Sequence, residues 1–256
     1  MRTDPHFIKQ ILLAVTLAVL AAGFAREAFV LEIGTHTVLQ DLRQFHLDSE
    51  NSVPAWWSSS LMLVAAMVLY RLGAEAKAAG DRMWQLWALL AVAFFFLSMD
   101  EAASFHEGVI EPLKSAFGFG GIFFYAWVVP AVLCLGGFGL LILPLLRQLP
   151  PRLSGRLVLS GIIFVGGALG MEMVGGWLDY SGLRASTFYV LAVTVEETAE
   201  FVGLLLFNFA LLDQFDPARA QIGHRARGVA SPTEGDKRPA AAPAMAGTGQ
   251  YPVAAE

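Results

Sequence analysis

The chain has 256 residues, of which 56% are hydrophobic and only 15% are charged, whereas about 25% of the residues are charged in an ordinary soluble domain. The apolar residues fall in long blocks that approach the roughly 20 residues needed to cross a hydrocarbon layer, and this excludes a single soluble domain. The lone cysteine, Cys134, excludes an intramolecular disulfide and a cysteine-based zinc site, and a net charge of −5 without a basic stripe argues against a nucleic-acid partner.

Hydropathy predicts an all-α, polytopic transmembrane helix bundle. The six predicted spans cover residues 7–25, 55–72, 84–107, 122–146, 157–177 and 187–212. The first also resembles a secretory signal peptide, because small residues follow its apolar core; its cleavage would leave five spans with every later loop on the same side. Residues 1–215 are therefore predicted to form the bundle. Residues 216–256, rich in Ala, Pro and Gly, are predicted to form a disordered cytoplasmic tail.

The orientation follows from the distribution of basic residues. Alternating loops place 13 of the 17 Lys and Arg residues on the side that carries both chain termini. Because basic loops stay in the cytoplasm, we expect a multi-pass protein of the bacterial inner membrane with both termini cytoplasmic and the lipid bilayer as its first partner. All tryptophans but Trp127 lie near predicted span ends, where an amphipathic ring is favoured.

Acidic residues inside the predicted spans are the feature that hydropathy does not explain. Seven of them lie in the third, fifth and sixth spans: Asp100, Glu101, Glu107, Glu172, Glu196, Glu197 and Glu200. A rise of 1.5 Å per residue places all three groups in the outer half of the bilayer, so we expect them to share one cavity with His106. In a helix that continues to residue 107, Asp100 and Glu107 differ by only about 20° around the axis. Gly166 and Gly170 form a GxxxG step before Glu172, which favours a close helix contact.

The energy of burying charge limits what these acids can be. An ionised acid at mid-membrane costs about 2.5–3.5 kcal/mol, so seven would cost on the order of 15–20 kcal/mol. The Arg and Lys residues predicted on that side lie outside the deep parts of these spans. Protons, a bound metal or transported cations must therefore compensate the charge. The alternative is that the acids are protonated and act only as interhelical hydrogen-bonding groups.

Carboxylate-rich ligand sets favour hard divalent metals, so we predict a bound Mg, Mn, Ca or Fe ion. A carboxylate-bridged di-iron site stays open, although the two Glu-x-x-His pairs typical of it are absent. Catalytic roles are predicted for His106, as ligand or general base, and for Glu101 and Glu197, which would orient the ligands. The predicted metal ligands are Asp100, His106, Glu107, Glu172, Glu196 and Glu200.

The loop before the second span carries Asp48, Glu50 and Asn51 on the same side as the membrane acids. Two interpretations are open for it. It can be a solvated loop that caps the helix beginning near Pro54, or it can be a lid that completes the ionic site.

Three segments together resemble a group of uncharacterised bacterial polytopic membrane proteins. They are the string 50–56, the segment Asp100-Glu101 to His106-Glu107, and Glu196-Glu197-Thr198-Ala199-Glu200. The resemblance covers residues 45–212 and supports the architecture and the choice of residues, but it implies no reaction. The leading hypothesis is a metal-dependent enzyme acting on a lipid or lipid-linked substrate. The alternatives are a small proton- or cation-coupled transporter and a structural membrane subunit, and the oligomeric state stays open.

Overall fold

The computed structural model describes residues 4–34 and 40–215, which form helices and no strands. Short 3₁₀ turns precede α2, α4 and α5 and follow α8, and a π-helical stretch, Gly166–Met171, joins α6 to α7. The predicted disordered tail, 216–256, lies outside the described residues. The helices are α1 Pro5–Ile33, α2 Val53–Ala78, α3 Trp84–Ala103, α4 Ile110–Phe117, α5 Val128–Gln148, α6 Pro151–Val165, α7 Glu172–Tyr180 and α8 Thr187–Leu212.

Among the described residues, five helical stretches are long and apolar enough to cross a membrane, and they indicate a membrane protein. They are Pro5–Ile33, Val53–Ala78, Trp84–Ala103, Val128–Gln148 and Pro151–Tyr180. The all-α class is thereby confirmed. The sixth predicted span corresponds to α8, which has 26 residues but carries three glutamates within its apolar sequence, so its insertion stays a prediction.

The helix starts follow from local side-chain chemistry. Asp4 and Ser52 accept hydrogen bonds from backbone N–H groups in the first turns of α1 and α2, and each is followed within two residues by a proline. Ser186 caps α8 by accepting from the Tyr189 backbone N–H. These polar caps satisfy N–H groups that no helical carbonyl can reach, and proline supplies the φ angle that the first turn needs.

The end of α3 corrects the predicted third span. The helix stops at Ala103, and Ser104 adopts a left-handed conformation with φ 54° and ψ 39°. The Asp100 carboxylate then accepts a hydrogen bond from the His106 backbone N–H, at 3.0 Å from Oδ1, and this stabilises the reversed chain direction. Glu107 therefore lies beyond the helix, and the expected 20° relation between Asp100 and Glu107 is wrong.

Two further boundaries differ from the prediction. The predicted fourth span began at residue 122, but a 3₁₀ turn occupies Gly121–Phe123 and α5 begins only at Val128. The predicted fifth span began at residue 157, but α6 begins at Pro151, because proline is well suited to the first helical position. Both differences leave the number of apolar segments unchanged.

The central helix is α8, which packs against α1, α2, α6 and α7. Its closest neighbour is the α6–α7 segment, and two glycines make that approach feasible. A Cβ atom on Gly203 would lie 2.7 Å from the Phe164 backbone nitrogen, and one on Gly167 would lie 2.8 Å from the Glu196 carbonyl oxygen. No atom lies within 4 Å of a Cβ placed on Gly166 or Gly170, so the predicted GxxxG step is not the contact.

The two ends of the bundle differ in character. At one end, Lys9 of α1 and Arg156 of α6 both form ion pairs with Asp213, directly after α8. We call this the Asp213 end. The opposite end contains the first turns of α8, the last turn of α3 and the loop 46–52, and the predicted site residues extend from it to the middle of α8. We call it the acid end.

Candidate metal site

His106 is held by Asp100 from the last turn of α3. The ring nitrogen Nδ1 lies 2.9 Å from Asp100 Oδ2, which is the arrangement that fixes a histidine ring and leaves Nε2 available to bind a metal or accept a proton. Desolvation on its own would lower the pKa of His106, but the hydrogen bond and charge of Asp100 outweigh it and raise the pKa.

Three side chains beside this turn have metal-ligand spacing. Ligand atoms of Glu50, His106 and Glu107 all lie within 4.8 Å of one another. Among residues 4–34 and 40–215, Glu50 Oε2 is buried without a hydrogen-bond partner. Burial, reinforced by the nearby Glu107 charge, raises the pKa of Glu50 even though Ser104 opposes the shift. A buried oxygen without a donor, next to a histidine and a second carboxylate, is a suitable cation ligand.

The Trp127 indole, just before α5, contacts both the histidine and a deeper acid. Its ring centroid lies 4.8 Å from that of His106, and its Nε1 donates to Glu172 Oε1 at 2.9 Å. Sequence reasoning assigned Trp127 no role in the site. The available signal was its position, because it is the one tryptophan placed away from a predicted span end.

The deeper acids come from α7 and α8. Glu196 is 7% exposed and lies close enough to Glu172 of α7 for the two carboxyl groups to interact electrostatically. Glu197 and Glu200 both interact electrostatically with Glu101 of α3. The acids of α8 therefore face those of α3 and α7.

The loop before α2 also reaches these acids. The Tyr189 hydroxyl donates to Asp48 Oδ2 at 3.3 Å. Surrounding protein atoms, followed by the Glu172 charge, raise the pKa of Asp48 to about 7, although the residue is exposed to solvent. The contacts of Asp48 and Glu50 make the loop one wall of the site. They favour the lid interpretation over a loop that only caps α2.

All eight predicted site residues belong to one electrostatically connected group, which also includes the two loop acids. We call this group the acid network. Within residues 4–34 and 40–215, no Arg or Lys forms an ion pair with any of the seven predicted acids. The ion pairs of Arg26, Lys114 and Arg184 are with Glu27, Glu111 and Asp179. The members of the acid network are Asp48, Glu50, Asp100, Glu101, His106, Glu107, Glu172, Glu196, Glu197 and Glu200.

Comparison with known families identifies a family for this chain. Residues 12–215 match the family described as Domain of unknown function (DUF8692). The chain belongs to that family. The match includes every predicted site residue and agrees with the resemblance to an uncharacterised group, and it carries no activity with it. No curated protein and no solved structure matches the chain.

Proposed function

We propose that this DUF8692 protein is a divalent-metal-dependent membrane enzyme that acts on a lipid or lipid-linked substrate at the acid end. The observation that carries the proposal is the convergence of Glu50, His106 and Glu107, with Glu50 Oε2 buried and lacking a donor. An uncompensated carboxylate in a membrane protein is unfavourable, and a divalent cation removes that penalty.

The ligand set favours Mn²⁺ or Fe²⁺ over the other predicted ions, because one imidazole joins several carboxylates, while Mg²⁺ and Ca²⁺ prefer oxygen alone. Glu50, His106 and Glu107 would bind the ion first. Glu172 and Glu196, which lie close enough to interact electrostatically, would supply further oxygens. Held by these residues, a divalent ion would supply a water of lowered pKa and would polarise a substrate oxygen.

The chain's own residues provide proton transfer and orientation. Asp100 holds Nδ1 of His106, so Nε2 can act as a general base when it is not a ligand. Trp127 packs on the same ring and restricts its rotation. Glu101 and Glu197, which interact electrostatically with several of the proposed ligands, would orient them.

The interior between the acid network and the Asp213 end favours an enzyme over a transporter. Below Glu200, α8 is lined by buried apolar side chains, among them Leu204 and Leu211. The polar exception is Asn208, whose amide donates to the carbonyl oxygens of Leu61 and Leu204. A packed apolar interior offers a hydrated ion no route through the membrane.

We further propose that α8 is a sixth span and that the acid end faces away from the cytoplasm, in an inner membrane with both termini cytoplasmic. The support is the excess of Lys and Arg in the loops at the opposite end. Labelling of an introduced cysteine at Ser49 from outside the cell, in a Cys134→Ser background, supports this orientation. Labelling at Ser49 only after permeabilisation contradicts it.

Equilibrium dialysis of the purified chain against Mn²⁺ tests the metal, and product analysis with membrane lipids tests the chemistry. Wild type should retain Mn²⁺ and convert a lipid in a Mn²⁺-dependent way, while Glu50→Gln and His106→Ala should lose most of both. Glu111→Gln is the matched control, because Glu111 is at the same end and its side chain is 84% exposed. Equal retention in wild type and both site variants would refute the proposal.

A further inference from the structure

A cationic side chain stands at the surface beside the acid network. Arg184 lies in the turn between α7 and α8, and its side chain is 61% exposed. Its Nη1 donates to Asp179 Oδ2 at 2.5 Å and to the Tyr125 hydroxyl at 3.0 Å. A guanidinium has five N–H donors, so the donors on Nη2 and Nε remain for an incoming oxyanion.

This arginine is connected to the candidate metal site through tyrosine hydroxyls. The Tyr125 and Tyr189 hydroxyls are 3.1 Å apart, and Tyr189 donates to Asp48 Oδ2 at 3.3 Å. The positive charge of Arg184 acts to lower the pKa of Asp48. A group bound by the free edge of Arg184 is therefore located at the entrance of the acid network.

A second cation and an aromatic surface adjoin the same tyrosine. Lys114 Nζ lies 3.6 Å from the centroid of the Phe124 ring, and that ring is 5.5 Å from the Tyr125 ring. The Lys114 side chain is 20% exposed and also pairs with Glu111. Exposed aromatic side chains beside cations are typical of the membrane interface, where rings contact lipid chains and cations contact headgroups. The exposed aromatic residues in the segments that contribute Lys114, Phe124, Tyr125 and Arg184 are Phe117, Phe123, Tyr180 and Phe188.

We infer that Arg184 and Lys114 bind the phosphate of an anionic phospholipid, whose chains lie against this aromatic surface and whose headgroup is presented to the acid network. The chemistry favours phosphate, because the Nη2 and Nε edge of arginine pairs with two phosphate oxygens in parallel. The acid network itself repels anions, so a fixed cation at its entrance is needed for an anionic headgroup to approach. As a substrate subsite this inference rests on the proposed function, whereas the binding of lipid does not.

The test is a thermal-stability titration of the full chain in a neutral detergent containing EDTA. The ligands are dioctanoyl phosphatidate, dioctanoylglycerol, which lacks phosphate, and inorganic phosphate, which lacks acyl chains. Phosphatidate should stabilise wild type at lower concentration than either of the others. Because EDTA removes any metal, failure of the metal site leaves this result unaffected, and failure of lipid binding leaves the metal site unaffected.

Arg184→Gln should raise the phosphatidate dissociation constant about tenfold, since a charge-assisted hydrogen bond is lost. Arg152→Gln, at the exposed start of α6, should leave it unchanged. Lys114→Gln should give a smaller increase, and it also covers the case in which Arg184→Gln fails to fold. Unchanged affinity in a folded Arg184→Gln or Lys114→Gln variant would overturn the inference. So would equal binding of dioctanoylglycerol, or inorganic phosphate binding as tightly as phosphatidate.

Discussion

The two ends of the bundle differ in how the charge of their buried acids is balanced. At the Asp213 end, desolvation would raise the pKa of Asp213, but hydrogen bonds from Lys9 and Arg156 overcome this and lower it. At the acid end, carboxylates outnumber nearby cations among the described residues, and Arg26, Lys114 and Arg184 form ion pairs with acids outside the acid network. The charge of Asp213 is balanced by these two fixed cations. The charges at the acid end are balanced only by protons or by a bound ion.

This contrast separates structural from functional acids without reference to a reaction. A carboxylate whose charge is matched by a fixed cation contributes to folding, so removing it should destabilise the chain. A carboxylate without such a partner destabilises the fold when it is charged. Its presence therefore indicates a role in binding a proton or an ion.

The largest loss of stability is expected at the Asp213 end. Asp213→Asn should lower the free energy of unfolding by about 3 kcal/mol, because it leaves Lys9 and Arg156 without their shared carboxylate. Glu75→Gln is the control, since its pair with Arg71 is exposed and spans one helical turn, and its loss should cost only about 0.3–0.5 kcal/mol. Denaturant unfolding in micelles measures both. Equal effects would remove the distinction between the ends.

The contact that places the α8 acids opposite α6 and α7 is expected to come next. Gly203→Ala would force a Cβ to within 2.7 Å of the Phe164 backbone nitrogen, where no flexible group can yield, and it should cost about 2 kcal/mol. Gly139→Ala in α5 meets no atom within 4 Å and should be neutral or slightly stabilising. Thermal unfolding compares the two variants, and a harmless Gly203→Ala would contradict the packing.

Substitutions within the acid network should behave in the opposite way to Asp213→Asn. Glu197→Gln and Glu200→Gln remove repelling charges and should change the stability of the metal-free protein by less than about 1 kcal/mol, while they reduce its response to Mn²⁺. Leu204→Ala, one turn below Glu200 and 1% exposed, should cost about 2–3 kcal/mol by leaving a cavity and should retain the response. Gln variants that bind Mn²⁺ like wild type would favour the interhelical hydrogen-bonding alternative.

The pH dependence gives the smallest and most specific contrast. The pKa values of Asp48, which is about 7, and of His106 are raised in the folded protein. The folded state therefore binds more protons than the unfolded chain, so stability must fall as pH rises. For Asp48 the window extends from its ordinary value of 3.8 to about 7. For His106 it begins near 6.5.

The metal-free protein should therefore melt at a lower temperature at pH 8 than at pH 5. Because Asp48 retains accessible surface, the difference should be about 2–4 °C, equivalent to about 1 kcal/mol. The lowered pKa of Asp213 acts below 3.8 and is silent in this range. Saturating Mn²⁺ should abolish the difference, and a melting temperature that rises from pH 5 to pH 8 without metal would show that these shifts have the wrong sign.

Composition and hydropathy were enough to predict an all-helical membrane protein and to select acids that lie together in the structure. They could not locate the end of α3, because the left-handed Ser104 depends on a hydrogen bond from the His106 backbone to Asp100. Hydropathy likewise carries no information about where the polar loop with Glu50 packs. The π-helical turn at Gly166–Met171 changes the angle at which later residues emerge, and a GxxxG pattern assumes that this angle is regular. The residue pattern alone therefore does not show that Gly167, rather than Gly166 or Gly170, faces α8.

The most direct test of the central claim is calorimetric titration of the metal-free full chain with Mn²⁺ at pH 7, in two buffers that differ in ionisation enthalpy. The difference in heat between the buffers counts the protons displaced by each ion. Wild type should release about one proton or more per Mn²⁺ bound, and Glu50→Gln should bind more weakly. Asp213→Asn, where it remains folded, should bind like wild type. Absence of saturable binding, or binding without proton release, would contradict the claim that the acid network is balanced by protons that a metal replaces.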